Sequence, residues 1–232
     1  MKYFAYLLLT ISSLIHAKNY TVKLGDTNVN IIKQIGHGKT FVHLHENEVT
    51  ALQAAKIYVK RHGGTLITLK HSGNRNIVFH LNRVRYEFDP NRIFTNAGIT
   101  KTLKQFGPYS FEAHQEVRKL ARKIICLIPP GKVIAVHNNR GYSIKEYFPR
   151  HPLAGDAKAL NYIPTSSYRN FYFVTQRRDF SRLKKLQFNV ALQANKATND
   201  GSLSYYLGNK VYINIEAAYG ALTQQLKMLN NA

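Results

Sequence analysis

The 232-residue chain is expected to fold as an α/β domain, a sheet with helices on both faces. Short apolar runs rich in β-branched and aromatic residues alternate with segments of helical periodicity, the pattern of strands joined by covering helices. There is also no internal repeat, low-complexity tract or Gly/Ser linker, and the chain is long enough for one domain with a substantial core.

The chain opens Met1-Lys2, runs without charge from Tyr3 to Ile15, and reaches His16-Ala17 before Lys18. That is the form of a secretory signal peptide cleaved after Ala17, and its apolar stretch falls short of the ~20 residues of a membrane span. Residues 18–232 are therefore expected as a single exported, soluble, monomeric domain, periplasmic or secreted in a bacterium. Strands are expected over 40–44, 65–69, 76–80, 132–137, 170–175, 188–192 and 210–215, and helices over 47–61, 100–106, 110–125, 179–185 and 221–229. Gly63-Gly64 stops the first helix. Ser110 caps the third, with Glu112 and Glu116 near its positive end.

Lys and Arg number 33 against 12 acidic residues, a formal net charge of +21. This balance favours anionic partners such as phospholipid headgroups, cell-envelope polymers or acidic substrates. The basic residues are scattered, and residues 177–185 read as a helix with a solvated basic face. With no zinc finger and no RNA-binding aromatic signature, nucleic acid is not the expected partner. The single cysteine, Cys126, cannot form an internal disulfide, and its apolar neighbours predict a buried, unreactive thiol. Export without disulfides fits a bacterial periplasm.

In open α/β sheets, sites lie outside the carboxyl ends of strands, which singles out the residues just past each apolar run. The first such place is His43-Leu44-His45-Glu46-Asn47-Glu48. His43/Glu46 and His45/Glu48 both have the His-x-x-Glu spacing, with which one turn of backbone offers a nitrogen and a carboxylate oxygen to one ion. The second is His137, followed by Asn138-Asn139-Arg140. In the third, Glu216 interrupts an apolar strand end. Buried, ionised and unpaired, it would cost several kcal/mol, so it requires a cationic or metal neighbour or a shifted pKa. Together these ends offer two histidines and a glutamate to hold zinc with one open position, and a second glutamate to handle a proton. A fourth element, Arg85-Tyr86-Glu87-Phe88-Asp89-Pro90-Asn91-Arg92-Ile93-Phe94, reads either as a carboxylate grip or as a turn opened by Asp89-Pro90.

In this order the four elements resemble the zinc carboxypeptidase superfamily, in particular the branch containing succinylglutamate desuccinylase and aspartoacylase. That branch has His-Gly-Asn-Glu, here His45-Glu46-Asn47-Glu48. It has Arg-Tyr ahead of Asp-Leu-Asn-Arg-x-Phe, here Arg85-Tyr86 and Asp89-Pro90-Asn91-Arg92-Ile93-Phe94. It also has a strand ending in His-Asn, here His137-Asn138, and a glutamate ending a C-terminal strand, here Glu216. The resemblance runs from about residue 40 to residue 220. It implies a three-layer α/β/α domain with a mixed, mostly parallel sheet, and His45, Glu48 and His137 as Zn2+ ligands. It also implies Glu216 as general base, Arg85 at the oxyanion, and Asn91 and Arg92 on the substrate's free carboxylate. Tyr205 or Tyr206 occupies the place of a mobile substrate-facing tyrosine. Continuity through Asn47-Glu48 favours His45 over His43.

Pro90 replaces the family's leucine, Glu46 replaces its glycine, one residue is missing between Arg85-Tyr86 and Asp89, and the chain has no room for aspartoacylase's additional domain. The expected activity is that of a metallo-carboxypeptidase or amidohydrolase acting on a peptide or acyl-amino acid with a free carboxylate, such as the peptide stems of peptidoglycan. The alternative is a non-catalytic or toxin-like secreted protein of the same fold that holds anionic polymers.

Overall fold

Segments such as Val133-Ile134-Ala135-Val136 bury every residue, and consecutive side chains of a strand point to opposite faces, so these strands need cover on both sides. The computed structural model describes residues 16–232; residues 1–15, most of the expected leader, lie outside the described residues. In chain order the strands are β1 (His16–Leu24), β2 (Thr27–Ile35), β3 (Thr40–His43), β4 (Thr65–Lys70), β5 (Ile77–Leu81), β6 (Val84–Phe88), β7 (Val133–Asn139), β8 (Ala157–Asn161), β9 (Phe171–Val174), β10 (Val190–Gln193) and β11 (Tyr212–Ala218). The helices are α1 (Val49–His62), α2 (Asn96–Phe106), α3 (Phe111–Leu127), α4 (Arg177–Lys185), the single-turn α5 (Leu203–Tyr206) and α6 (Leu222–Asn231). No helix among the described residues is long and apolar enough to cross a membrane.

Nine strands form one sheet in the order β1-β2-β4-β3-β7-β11-β9-β10-β8, with β5-β6 a separate hairpin. The expected α/β class holds, but the sheet is not mostly parallel. The parallel pairs β3–β4, β3–β7, β7–β11 and β9–β10 are matched one for one by the antiparallel pairs β1–β2, β2–β4, β9–β11 and β8–β10. The β1–β2 hairpin, β6 and β8 have no counterpart among the expected strands. β8 is nowhere fully buried and β2 buries only Val29 and Ile31 within its span, so their sequences lack the continuous apolar signal of the central strands.

Alternation divides the core in two. Val42, Ile67, Val133, Ala135 and Tyr212 face α2, α3 and the β5–β6 hairpin. Phe41, Leu66, Ile134, Val136, Ile213 and Ile215 face α1, α4 and α6. Two sequence-derived helix limits are realised as expected. The Ser110 side chain accepts from the Ala113 N–H, and Gly63 ends α1 with φ of 75°, a conformation glycine adopts without a Cβ penalty. The cysteine expectation fails: Cys126 is exposed. Its apolar neighbours are helical, and Ala121, Ile124 and Leu127 take the buried stripe, which turns Cys126 outward.

One close approach ties the fold to the cleft described below. A Cβ at Gly98, in the first turn of α2, would lie 2.3 Å from Gly201 Cα and 2.6 Å from the Arg92 carbonyl oxygen. Gly98→Ala is therefore expected to destabilise the protein by about 2 kcal/mol. Gly155→Ala, with nothing within 4 Å of its Cβ, should be near neutral; urea midpoints compare the two.

Candidate metal centre

The parallel pairing of β3, β7 and β11 aligns their carboxyl ends. β3 leads through α1 to β4 on one side, whereas β7 leads to strands on the other, so a crevice opens between them at a switch in chain direction. His45 follows β3 and His137 lies near the end of β7. Glu216 is the Cα partner of His137 in the β7–β11 ladder. Glu48 stands at the start of α1, where the helix dipole favours a negative charge.

These placements bring three donors together. His45 Nδ1 is 2.9 Å from Glu48 Oε1, His137 Nδ1 is 2.8 Å from Glu48 Oε2, and the two Nδ1 atoms are 3.2 Å apart. His45, Glu48 and His137 are 1%, 3% and 2% exposed. They form the group among the described residues able to hold a metal ion. Tetrahedral zinc with ligands at about 2.0–2.1 Å needs donor atoms about 3.3 Å apart, so this triangle suits a divalent cation with little movement.

Asp89 completes the arrangement. Its Oδ1 accepts from His45 Nε2 at 2.7 Å, which fixes the imidazole tautomer and leaves Nδ1 as the donor toward the cluster. Asp89 is held by the Asn91 N–H at 2.7 Å, and its own N–H donates to Thr102 Oγ1 at 2.9 Å. Burial disfavours a charged His45, but Glu48 and Asp89 outweigh it and raise its pKa to about 9; a cation in place of that proton would meet the same attraction. Burial alone would raise Glu48, yet His45 and His137 hold it well below the usual carboxylate range.

His43 and Glu46 do not join this group. His43 Nε2 donates to the Glu48 carbonyl at 3.1 Å and Nδ1 meets Thr68 Oγ1 at 2.9 Å, and burial lowers its pKa to about 4, which keeps it neutral. Glu46 accepts the backbone N–H groups of His71 and Gly73 at 2.6 and 2.8 Å and so braces the loop after β4. The geometry thus favours His45/Glu48 over the equally spaced rival pair.

A cleft of about 720 Å³ is lined by His45, Glu48, His137, Glu216, Asn91 and Arg92. Glu216 receives Asn139 Nδ2 at 3.1 Å and Asn214 Nδ2 at 3.2 Å. Burial raises its pKa, His137 opposes that, and Glu48 adds to it; the net shift is upward. Arg92 pairs with Asp200 at 3.3 Å. Asn91 Oδ1 accepts from the Leu203 N–H at 3.1 Å, so its NH2 is the group able to meet a ligand.

Three expected site residues, Arg85, Tyr205 and Tyr206, do not line the cleft. Arg85 is on β6, half-exposed and paired with Glu87, and it does not line the cleft. Alternation along β6 buries Tyr86 and Phe88 and turns Arg85 to the other face of the hairpin. Arg75, in the loop after β4, is the arginine that reaches the cluster: it donates to Glu48 Oε1 at 2.6 Å and to Asp89 Oδ2 at 3.4 Å. The strand-end rule applied to β4 would have found it; no local motif marks it. Tyr205 and Tyr206 line a neighbouring cavity of about 390 Å³, and Tyr205 also meets Arg92, Tyr142 and Tyr147 around a small cavity of about 100 Å³, whereas Tyr142, Tyr147, Tyr212 and Tyr219 line the cleft itself.

No protein-family model, curated protein or solved structure matches the chain.

Zinc titrated into metal-depleted protein is expected to bind one ion per chain by calorimetry, and His137→Ala or Glu48→Gln should weaken it at least about 100-fold. Asp89→Asn should cost about 10–100-fold, the size of effect seen when a partner orienting a ligand is removed. Loss of binding in His43→Gln with retention in His45→Ala would reverse the assignment.

Proposed function

We propose that the protein is a zinc-dependent hydrolase that cleaves an amide bond next to a free carboxylate. The observation that carries this reading is the convergence of two imidazole nitrogens and a carboxylate in a cleft that also contains a separate buried glutamate, Glu216. A purely structural polar cluster has no need of a second carboxylate with a raised pKa lining the same cleft. His45, Glu48 and His137 would hold the zinc ion, which would supply Lewis acidity and a more acidic water.

Glu216 serves as general base. It takes a proton from the attacking water and returns it to the leaving nitrogen, a role for which a pKa moved upward from the ordinary carboxylate is suited. Asn139 and Asn214 hold one carboxylate oxygen each and fix its plane. Arg75, a fixed charge above the cluster, stabilises negative charge that develops on the scissile carbonyl oxygen. Arg92, exchanging Asp200 for a ligand, and Asn91 bind the substrate's carboxylate and so set which amide meets the metal. Peptide stems of the bacterial cell wall, which carry such carboxylates, are the substrates to try first, followed by N-acyl amino acids.

Release of amino acid by zinc-loaded protein, measured against both substrate sets, tests the reading. Glu216→Gln should bind zinc normally and lose about 10²–10⁴ in kcat. Normal activity in that variant, or an active protein without stoichiometric metal, would overturn it. Arg75→Ala should cost about 10²–10³ in kcat and Arg85→Ala almost nothing.

The pH profile follows from Glu216. The base must be ionised, so kcat/KM should fall as pH drops through its pKa. Because that pKa is raised, the acid limb should lie above the ordinary value of 4.5.

A further inference from the structure

The helical layer α1, α6 and α4 exposes charge of one sign. α1 and α6 contain no Asp or Glu, and the single acid of α4, Asp179, is buried between Lys132 at 3.0 Å and Arg182 at 3.4 Å. The helices lie side by side. Lys39 Nζ reaches the Leu229 carbonyl of α6 at 3.3 Å while lying 5.1 Å from the Tyr58 ring of α1, and Arg182 of α4 donates to the Asn231 carbonyl at 2.5 Å. The opposite layer differs, since α3 sets Glu112 and Glu116 among its cations.

Sheet direction gathers several of these cations at one end. α1 runs back from the cleft, so Lys60 and Arg61 in its last turn stand at the far end of the sheet. β9 is antiparallel to β11, so α4 begins at that same end and places exposed Arg177 and Arg178 there. Lys39 and Lys210, preceding β3 and β11, complete the group. Two cations at the start of α4 oppose its dipole, so helix stability does not account for them. β1 also begins at this end: His16 pairs with Ile35, and β2 runs antiparallel to β4. The described chain therefore begins at the basic end of the domain.

We propose that this end docks on an acidic phospholipid bilayer, with the cleft facing away from it. Charge complementarity between these clustered cations and acidic headgroups indicates a lipid surface. A single-stranded nucleic acid is disfavoured because, among the described residues, the exposed aromatics Tyr109, Phe111, Tyr162, Tyr206 and Tyr219 all lie off α1, α4 and α6, leaving no stacking platform on these helices.

Co-sedimentation of the full chain with phosphatidylcholine vesicles, with and without phosphatidylglycerol, tests the proposal. Binding should rise at least about tenfold with the acidic lipid and be lost as salt is raised well above ~0.1 M. The pair Arg177→Glu/Arg178→Glu should abolish that gain. Lys101→Glu/Lys104→Glu on α2, the same change of charge on the other layer, should keep it. Lys60→Gln/Arg61→Gln gives a milder second measurement at the same end, and thermal unfolding checks that all variants are folded. No gain with phosphatidylglycerol overturns the proposal, as does equal loss in both reversal variants. Tighter binding of an oligonucleotide than of acidic vesicles also overturns it, in favour of a nucleic-acid surface.

Discussion

Glu48 is a carboxylate with almost no access to water, and an ion in that position is tolerated only if its surroundings replace the solvent it has lost. His45, His137 and Arg75 all meet its oxygens, the Asn138 N–H approaches at 3.3 Å, and the positive end of α1 lies beneath it. Those partners come from the end of β3, the end of β7 and the loop after β4. One buried charge therefore couples three separate parts of the chain. Neighbouring bonds strengthen the coupling: the Ala51 N–H of α1 donates to Asn138 Oδ1 at 3.0 Å, and the Gly220 N–H after β11 donates to Thr50 Oγ1 at 3.0 Å. The first turn of α1 is thus the point at which the strand ends are fastened.

Sheet topology supplies the rest of the geometry. Parallel neighbours present their carboxyl ends at the same edge, so residues remote in sequence meet without any long loop between them. The ladder of β7 and β11 places Glu216 level with His137, and the adjoining antiparallel β9 is paired to the same stretch of β11 from the other side. Asn139 and Asn214 then reach the Glu216 carboxylate from its two flanks. A shift of one residue in this register would turn Glu216 to the opposite face of the sheet and dissolve the arrangement.

Charge is distributed as unevenly as the chemistry. Of the few acidic residues, Glu48, Asp200 and Glu216 line the cleft and Asp89 stands behind His45, whereas the α1–α6–α4 layer exposes none. Within the cleft the acids face Arg75, Arg92 and Arg140, so an anionic ligand finds fixed cations beside the cluster that suits a divalent ion. The protein's large positive charge is consequently not a uniform coating. It is concentrated where acids are absent, and the cleft is mixed.

The sequence by itself was enough for the α/β class, most central strands and the principal helices, because continuous apolar runs and amphipathic periods are local signals. It also led to His45, Glu48, His137 and Glu216, since each sits at the end of such a run. What it could not determine was whatever depends on partners distant along the chain. The antiparallel half of the sheet, the edge strands and the outward turn of Cys126 follow from which faces neighbouring elements cover. Arg75 rather than Arg85 beside Glu48, and Asp89 as the partner of His45 rather than a simple turn residue, were settled by sheet connectivity. A strand's pairing decides where its loops arrive, and no window of sequence contains both sides of that contact.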